Sequence, residues 1–138
     1  MEEGVTWMSI KVLIADDDTS IREALADLIG GEPGLELAGA AADAAEAVTL
    51  ARKLAPDVAL VDVRMPLGGG PKAAAGIRLA SPQTVVIALS AHDDAFSVLS
   101  MLERGVATYV AKDSPAEQVI EAIRRGAEQQ GLPVPPPA

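Results

Sequence analysis

The sequence predicts an α/β fold in which a parallel sheet carries helices on both faces. Three observations lead there. Apolar, β-branched or small-residue runs of strand length recur five times, at 10–15, 35–40, 57–62, 84–89 and 107–111. Segments with helical spacing of apolar residues separate and follow them. The connections are short, which favours regular βα units with right-handed crossovers.

Residues 1–9 carry no pattern and are expected to be a disordered leader. The first strand, 10–15, runs straight into Asp16-Asp17-Asp18. Ser20 and Glu23 have capping-box spacing, and Ile21, Leu25, Leu28 and Ile29 continue as a helix that Gly30-Gly31 stop. Glu32-Pro33-Gly34 turns the chain into the second strand. Asp43 and Glu46 form a second capping box, and Ala44, Ala47, Val48 and Ala51 line one face of the second helix. Pro56 precedes the third strand, which ends on Asp62.

Val63-Arg64-Met65-Pro66 then leaves the sheet. The glycines 68–70 and Pro71 read as a flexible loop, followed by a weakly patterned helix over 72–79. The fourth strand ends at Ser90-Ala91. Ala95, Val98, Leu99 and Leu102 give the fourth helix an apolar face, and Gly105 ends it. The fifth strand is followed by Lys112. Ser114-Pro115-Ala116-Glu117 then combines an N-cap, a proline at the first helical position and a capping-box Glu. Val119, Ile120, Ile123 and Ala127 make the buried stripe of the last helix. Residues 131–138 carry four prolines and read as a linker or tail. No internal repeat is visible, and 10–130 reads as one domain.

Composition narrows the function. The chain has 138 residues, 49% of them apolar, which suits one folded domain with a real core. One Trp, one Tyr and one Phe leave that core to Val, Leu, Ile and Ala. No cysteine is present, which excludes a disulfide scaffold, a Cys-ligated zinc and a thiol nucleophile and fits a cytoplasmic location. Neither a membrane span nor a signal peptide is legible. A net charge of −9, with 11 basic residues against 20 acids, argues against direct binding of nucleic acid.

The polar residues form a pattern on this scheme. Asp16 and Asp17 follow the first strand, Asp62 ends the third, Ser90 the fourth and Lys112 the fifth. In a parallel sheet these ends share one rim, where ligands of open α/β sheets collect. Asp16-Asp17-Asp18 alone admits two readings, a metal site or a solvated acidic turn that starts a helix. Taken together, the acids, the hydroxyl and the ammonium suit phosphoryl transfer. A carboxylate can attack phosphorus and give an acyl phosphate, and Mg²⁺ is held by one or two carboxylates plus phosphate oxygens. Asp18 reads as a helix-start acid favoured by the helix dipole, and Tyr109 as a half-buried strand aromatic.

From Ile10 to Gln130 the sequence resembles the receiver domain of two-component response regulators. The matching pieces are Val12-Leu13-Ile14-Ala15-Asp16-Asp17-Asp18, Pro56-Asp57-Val58-Ala59-Leu60-Val61-Asp62-Val63-Arg64-Met65-Pro66, Ile87-Ala88-Leu89-Ser90-Ala91 and Gly105-Val106-Ala107-Thr108-Tyr109-Val110-Ala111-Lys112. The resemblance implies a flavodoxin-like (βα)5 fold of strand order 2-1-3-4-5. It implies that Asp62 is the phosphoacceptor for a histidine kinase or a small phosphodonor. It implies Mg²⁺, with Mn²⁺ as a substitute, held by Asp16, Asp17, Asp62 and the backbone carbonyl of Arg64. Ser90 and Lys112 correspond to the family's hydroxyl and lysine, and Ser90 with Tyr109 to its switch pair. Such a domain is not a conventional enzyme; it catalyses its own phosphorylation and slow dephosphorylation. The implied partners are a cognate kinase, an effector domain beyond the C-terminus and a second copy on phosphorylation, with no direct nucleic acid and no membrane. The glycines at 68–70 depart from the family, which more often has a Gly-Met-Asp-Gly-like segment there. His92 is the only histidine and lies at the expected rim.

Two other functions compete. An aspartate-nucleophile phosphatase would use Asp16 to attack and Asp18 as acid/base. A non-phosphorylated flavodoxin-like interaction domain would need none of the rim chemistry.

Overall fold

The computed structural model describes residues 9–67, 69–91 and 95–131. The expected leader before Ser9, Gly68, His92 and the Pro-rich segment after Gly131 lie outside the described residues. Five strands, β1 (Ile10–Ala15), β2 (Leu35–Ala41), β3 (Val58–Asp62), β4 (Val85–Ser90) and β5 (Thr108–Ala111), alternate with five helices. These are α1 (Thr19–Gly30), α2 (Ala44–Leu54), α3 (Gly69–Ala80), α4 (Ala95–Glu103) and α5 (Ala116–Gln129). The strands pair in parallel in the order β2-β1-β3-β4-β5, as expected. No helix among the described residues is long and apolar enough to cross a membrane.

Side chains alternate across the pleat, so β1, β3 and β4 each feed two cores. Val12, Ile14, Val58, Leu60, Ile87 and Leu89 meet Ile29 of α1 and Val119, Ile123 and Ala127 of α5. Leu13, Ala15, Ala59, Val61, Val86 and Ala88 meet the alanine-rich α2 and α3 together with Val98 and Met101 of α4. The second face is built from smaller residues. Gly76 of α3 accordingly faces Val48 of α2, and a Cβ at Gly76 would lie 2.5 Å from Val48 Cγ2.

Four expectations about helices change. Asp18, not Ser20, caps α1: its Oδ1 accepts from the Ser20 and Ile21 N–H groups at 2.9 and 3.2 Å. The helix starts soon after β1 ends, so the nearest acid takes the cap. The helix of 72–79 begins instead at Gly69, and Gly69 and Gly70 are buried within it. A Cβ at Gly70 would lie 2.4 Å from the Val63 carbonyl oxygen and one at Gly69 2.5 Å from Met65 Cβ. These glycines serve close approach rather than flexibility. Pro71 is tolerated in a first turn, where its missing N–H has no helical partner.

In α4 the buried residues are Val98 and Met101, whereas Leu99 is 57% and Leu102 40% exposed. Finally, Pro115 is the N-cap of α5 rather than its first helical residue, and Ser114 makes no side-chain cap. Its extended ψ of 149° sets it outside the helix, and its carbonyl accepts from Gln118 N–H. The Asp43 cap of α2 stands as expected: Glu46 N–H donates to Asp43 Oδ1 at 2.8 Å.

Candidate functional site

The rim formed by the C-terminal ends of β1, β3, β4 and β5 gathers Asp16, Asp17, Asp62, Ser90 and Lys112. β1 pairs with β3 up to Ala15 and Val61, so the next residues, Asp16 and Asp62, emerge side by side. Both are buried, at 0% and 2% exposure, although both are acids. Burying a carboxylate is costly unless it is paired or hydrogen-bonded, and here one cation serves both. Lys112 Nζ lies 2.9 Å from Asp16 Oδ2 and 3.1 Å from Asp62 Oδ1. Lys112 is held in place by its own N–H, which donates to Ser90 O at 2.8 Å.

The remaining oxygens differ in their partners. Asp16 Oδ1 accepts from Asp18 N–H at 2.9 Å, and Asp62 Oδ1 accepts from Arg64 N–H at 3.0 Å. Asp62 Oδ2 is buried without a hydrogen-bond partner among the described residues. Asp16 Oδ2 also lacks hydrogen-bond geometry, but its 2.9 Å contact with Lys112 Nζ is an ion pair. Asp62 Oδ2 is therefore the buried acceptor that the fold leaves open. Burial pushes the Asp62 carboxyl up to about 6; the Arg64 N–H bond opposes this, the Asp16 charge adds to it and Lys112 opposes it. Burial alone would lower the Lys112 value, yet the bond to Asp16 and the charges of Asp62 and Asp16 raise it overall.

Asp17 is exposed beside this pair. Asp16, Asp17 and Asp62 each offer a carboxylate oxygen, all within 4.8 Å of one another. Three hard oxygen donors with one unsatisfied buried oxygen form a donor set that fits a hard divalent cation.

Ser90 is 3% exposed at the end of β4, and its Oγ donates to Ala91 O at 2.7 Å rather than to an acid. Tyr109 lies on β5 with 54% exposure. Arg64 supplies its N–H to Asp62. Arg22 also reaches this rim, although nothing in its sequence context singles it out except its place as a cation four residues beyond an N-cap acid. Its guanidinium Nη1 donates to the main-chain carbonyl of Asp16 at 2.7 Å.

Asp18 serves as the α1 cap through Oδ1, the helix-start role expected for it, which does not favour the acid/base role that a phosphatase would require.

Residues 12–124 match the family model of the response regulator receiver domain. Over 123 residues the chain is 33% identical to the transcriptional regulatory protein YxjL of Bacillus subtilis (strain 168), covering 89% of this chain and 56% of that one. Over 124 residues it is 34% identical to the transcriptional regulatory protein DegU of Brevibacillus brevis, covering 90% and 52%. The chain thus spans about half the length of these curated relatives. Among solved structures it is similar to the signal receiver domain of NarL from Mycobacterium tuberculosis, with a TM-score of 0.82 and 32% identity over 88% of this chain and 98% of that one.

Proposed function

The chain belongs to the response regulator receiver domain family, and on that premise we propose that Asp62 takes a phosphoryl group from a histidine kinase or a small phosphodonor. The observation that carries this assignment is the state of Asp62 Oδ2, a buried acid oxygen with no hydrogen-bond partner among the described residues. Its neighbour Oδ1 is fixed by Arg64 N–H and Lys112. Oδ2 attacks phosphorus, an O–P bond forms, and the donor's P–N or P–O bond breaks with its electron pair leaving on the donor. The product is an acyl phosphate. With a carboxyl value near 6, Asp62 is mostly ionised at neutral pH and has the lone pair to attack.

Asp16, Asp17 and Asp62 would hold Mg²⁺, with the Arg64 carbonyl as the further protein ligand. When bound, Mg²⁺ supplies positive charge that offsets the repulsion between an anionic nucleophile and an anionic phosphoryl group. The chain's own contribution is Lys112, which holds the carboxylates together and offers its ammonium to a phosphoryl oxygen. Phosphorylation adds nearly two negative charges at Asp62. Ser90 Oγ then exchanges the Ala91 carbonyl for a phosphoryl oxygen, and Tyr109 turns inward from its exposed position. The surface that changes carries Phe96, Leu99 and Leu102 on α4, all exposed. An output domain or a second copy reads that surface. This reading puts the domain in the cytoplasm.

Incubation with acetyl phosphate and Mg²⁺ tests the assignment. A mass gain of one phosphoryl group, lost in Asp62→Asn, is the expected result. Steady phosphate release that depends on Asp16 instead would favour the phosphatase.

A further inference from the structure

We propose that Arg22 is a positioning residue that sets the affinity of the acid cluster for a divalent cation. The inference rests on the cation-site reading above. β1 ends at Ala15, so the carbonyl of Asp16 has left the parallel ladder. Its N–H still donates to Ala41 O at 3.0 Å. The carbonyl is taken by Arg22 Nη1 at 2.7 Å, a short charge-assisted bond in a partly buried setting. Arg22 sits in the first turn of α1, with its own N–H on the Asp18 carbonyl at 2.9 Å.

The stretch from Asp16 to Asp18 is therefore tied at three points. Asp18 N–H bonds Asp16 Oδ1, the start of α1 bonds Asp18 Oδ1, and the Arg22 guanidinium returns to Asp16 O. The choice of acceptor matters. A guanidinium six residues from Asp16 and five from Asp17 lies near two acids in sequence, and its fork geometry suits carboxylates. Its hydrogen bonds go instead to a main-chain carbonyl and, at 3.4 Å, to the Thr19 hydroxyl. It thus brings positive charge to the acidic turn without occupying a carboxylate oxygen. The backbone that carries Asp16 and Asp17 is thereby held in one arrangement, which lowers the ordering cost that a cation would otherwise meet.

Two effects oppose each other when Arg22 is removed. Loss of its charge favours cation binding; loss of the tie disorders the ligands. The guanidinium is partly exposed and screened by solvent, so the loss of order dominates.

Isothermal titration of Mg²⁺ into the protein, with acetyl phosphate labelling in parallel, tests this in wild type, Arg22→Ala and Arg22→Lys. In Arg22→Ala the dissociation constant and the half-saturating Mg²⁺ for labelling are expected to rise together by about tenfold, the lower end for lost outer partners of a metal site. Arg22→Lys, which keeps a cationic donor, should recover part of that loss. The Mg²⁺-induced rise in Tm, measured on each folded variant, follows the same order. Arg22→Ala binding Mg²⁺ as tightly as wild type, or more tightly, overturns the proposal. So does Arg22→Lys behaving no better than Arg22→Ala. Failure of wild type itself to bind Mg²⁺ would instead overturn the cation-site reading.

Discussion

Lys112 Nζ stands 3.1 Å from Asp62 Oδ1, reaching from the end of β5 past Ser90 of β4 to the end of β3. It also meets Asp16 at 2.9 Å, so one ammonium neutralises two buried carboxylates. Lys112→Met leaves both acids without that partner. At neutral pH without divalent ions, the variant is expected to lose about 3 kcal/mol of stability, the typical cost of breaking a buried pair. Urea denaturation with chelator measures it, and added Mg²⁺ should return part of the loss. A variant as stable as wild type would mean that the ammonium does not hold the acids.

The raised Asp62 value makes stability depend on pH in a specific sense. The folded value is about 6 against an ordinary 3.8, so the folded state keeps a proton that the unfolded chain releases. Between these values the unfolded state binds fewer protons, and stability falls as pH rises. The contribution is fully present below the ordinary value and is lost by the time pH exceeds about 6. The loss is on the order of 3 kcal/mol at most. Asp62→Asn removes this term, so the metal-free variant should gain on wild type as pH is raised from 4 to 7. Denaturation curves of the two proteins in chelator, compared at each pH, measure it together with its coupling to Asp16 and Lys112. A difference that does not change with pH contradicts the assignment.

Close packing after β3 yields a different prediction. Gly70→Ala places a Cβ 2.4 Å from the Val63 carbonyl oxygen, which is backbone and cannot swing aside. Overpacking of this kind costs roughly 1–3 kcal/mol or more. Because Val63 follows Asp62, the variant should also slow labelling by acetyl phosphate. Thermal unfolding and intact mass measure both effects. An unchanged Tm would show that α3 shifts without cost.

Ser90 donates to Ala91 O in this structure and must change acceptor if it reads the phosphoryl group. In Ser90→Ala, phosphorylation should no longer alter the environment of Tyr109, the only tyrosine. Proton NMR of its ring before and after labelling shows the effect. A Tyr109 response equal to wild type would remove Ser90 from the switch.

The sheet was legible because the strands are short apolar or small-residue runs, and four of the five run into a polar residue at the C-terminal end. Those terminal residues also gave most of the site, since strand ends in a parallel sheet share a rim. Asp43 was legible because its cap is local. Gly69 and Gly70 misled because flexibility and close approach look alike in sequence; only distances such as that from a Cβ at Gly70 to Val63 separate them. In α4, Val98, Leu99, Met101 and Leu102 put apolar residues on more than one face, so spacing alone did not choose the buried side. The tie from Arg124 to Glu32, 92 residues apart, has no local signature. Nor does the single lysine shared by two acids.

The most direct test of the account is chemical identification of the phosphorylated residue. An acyl phosphate on aspartate is reduced by borohydride to homoserine, whereas a free carboxylate is not. The protein is labelled with acetyl phosphate and Mg²⁺, reduced, digested and sequenced by mass spectrometry. The account predicts homoserine at position 62 alone, dependent on Mg²⁺. Homoserine at position 16, or none at any position despite bound Mg²⁺, would contradict it.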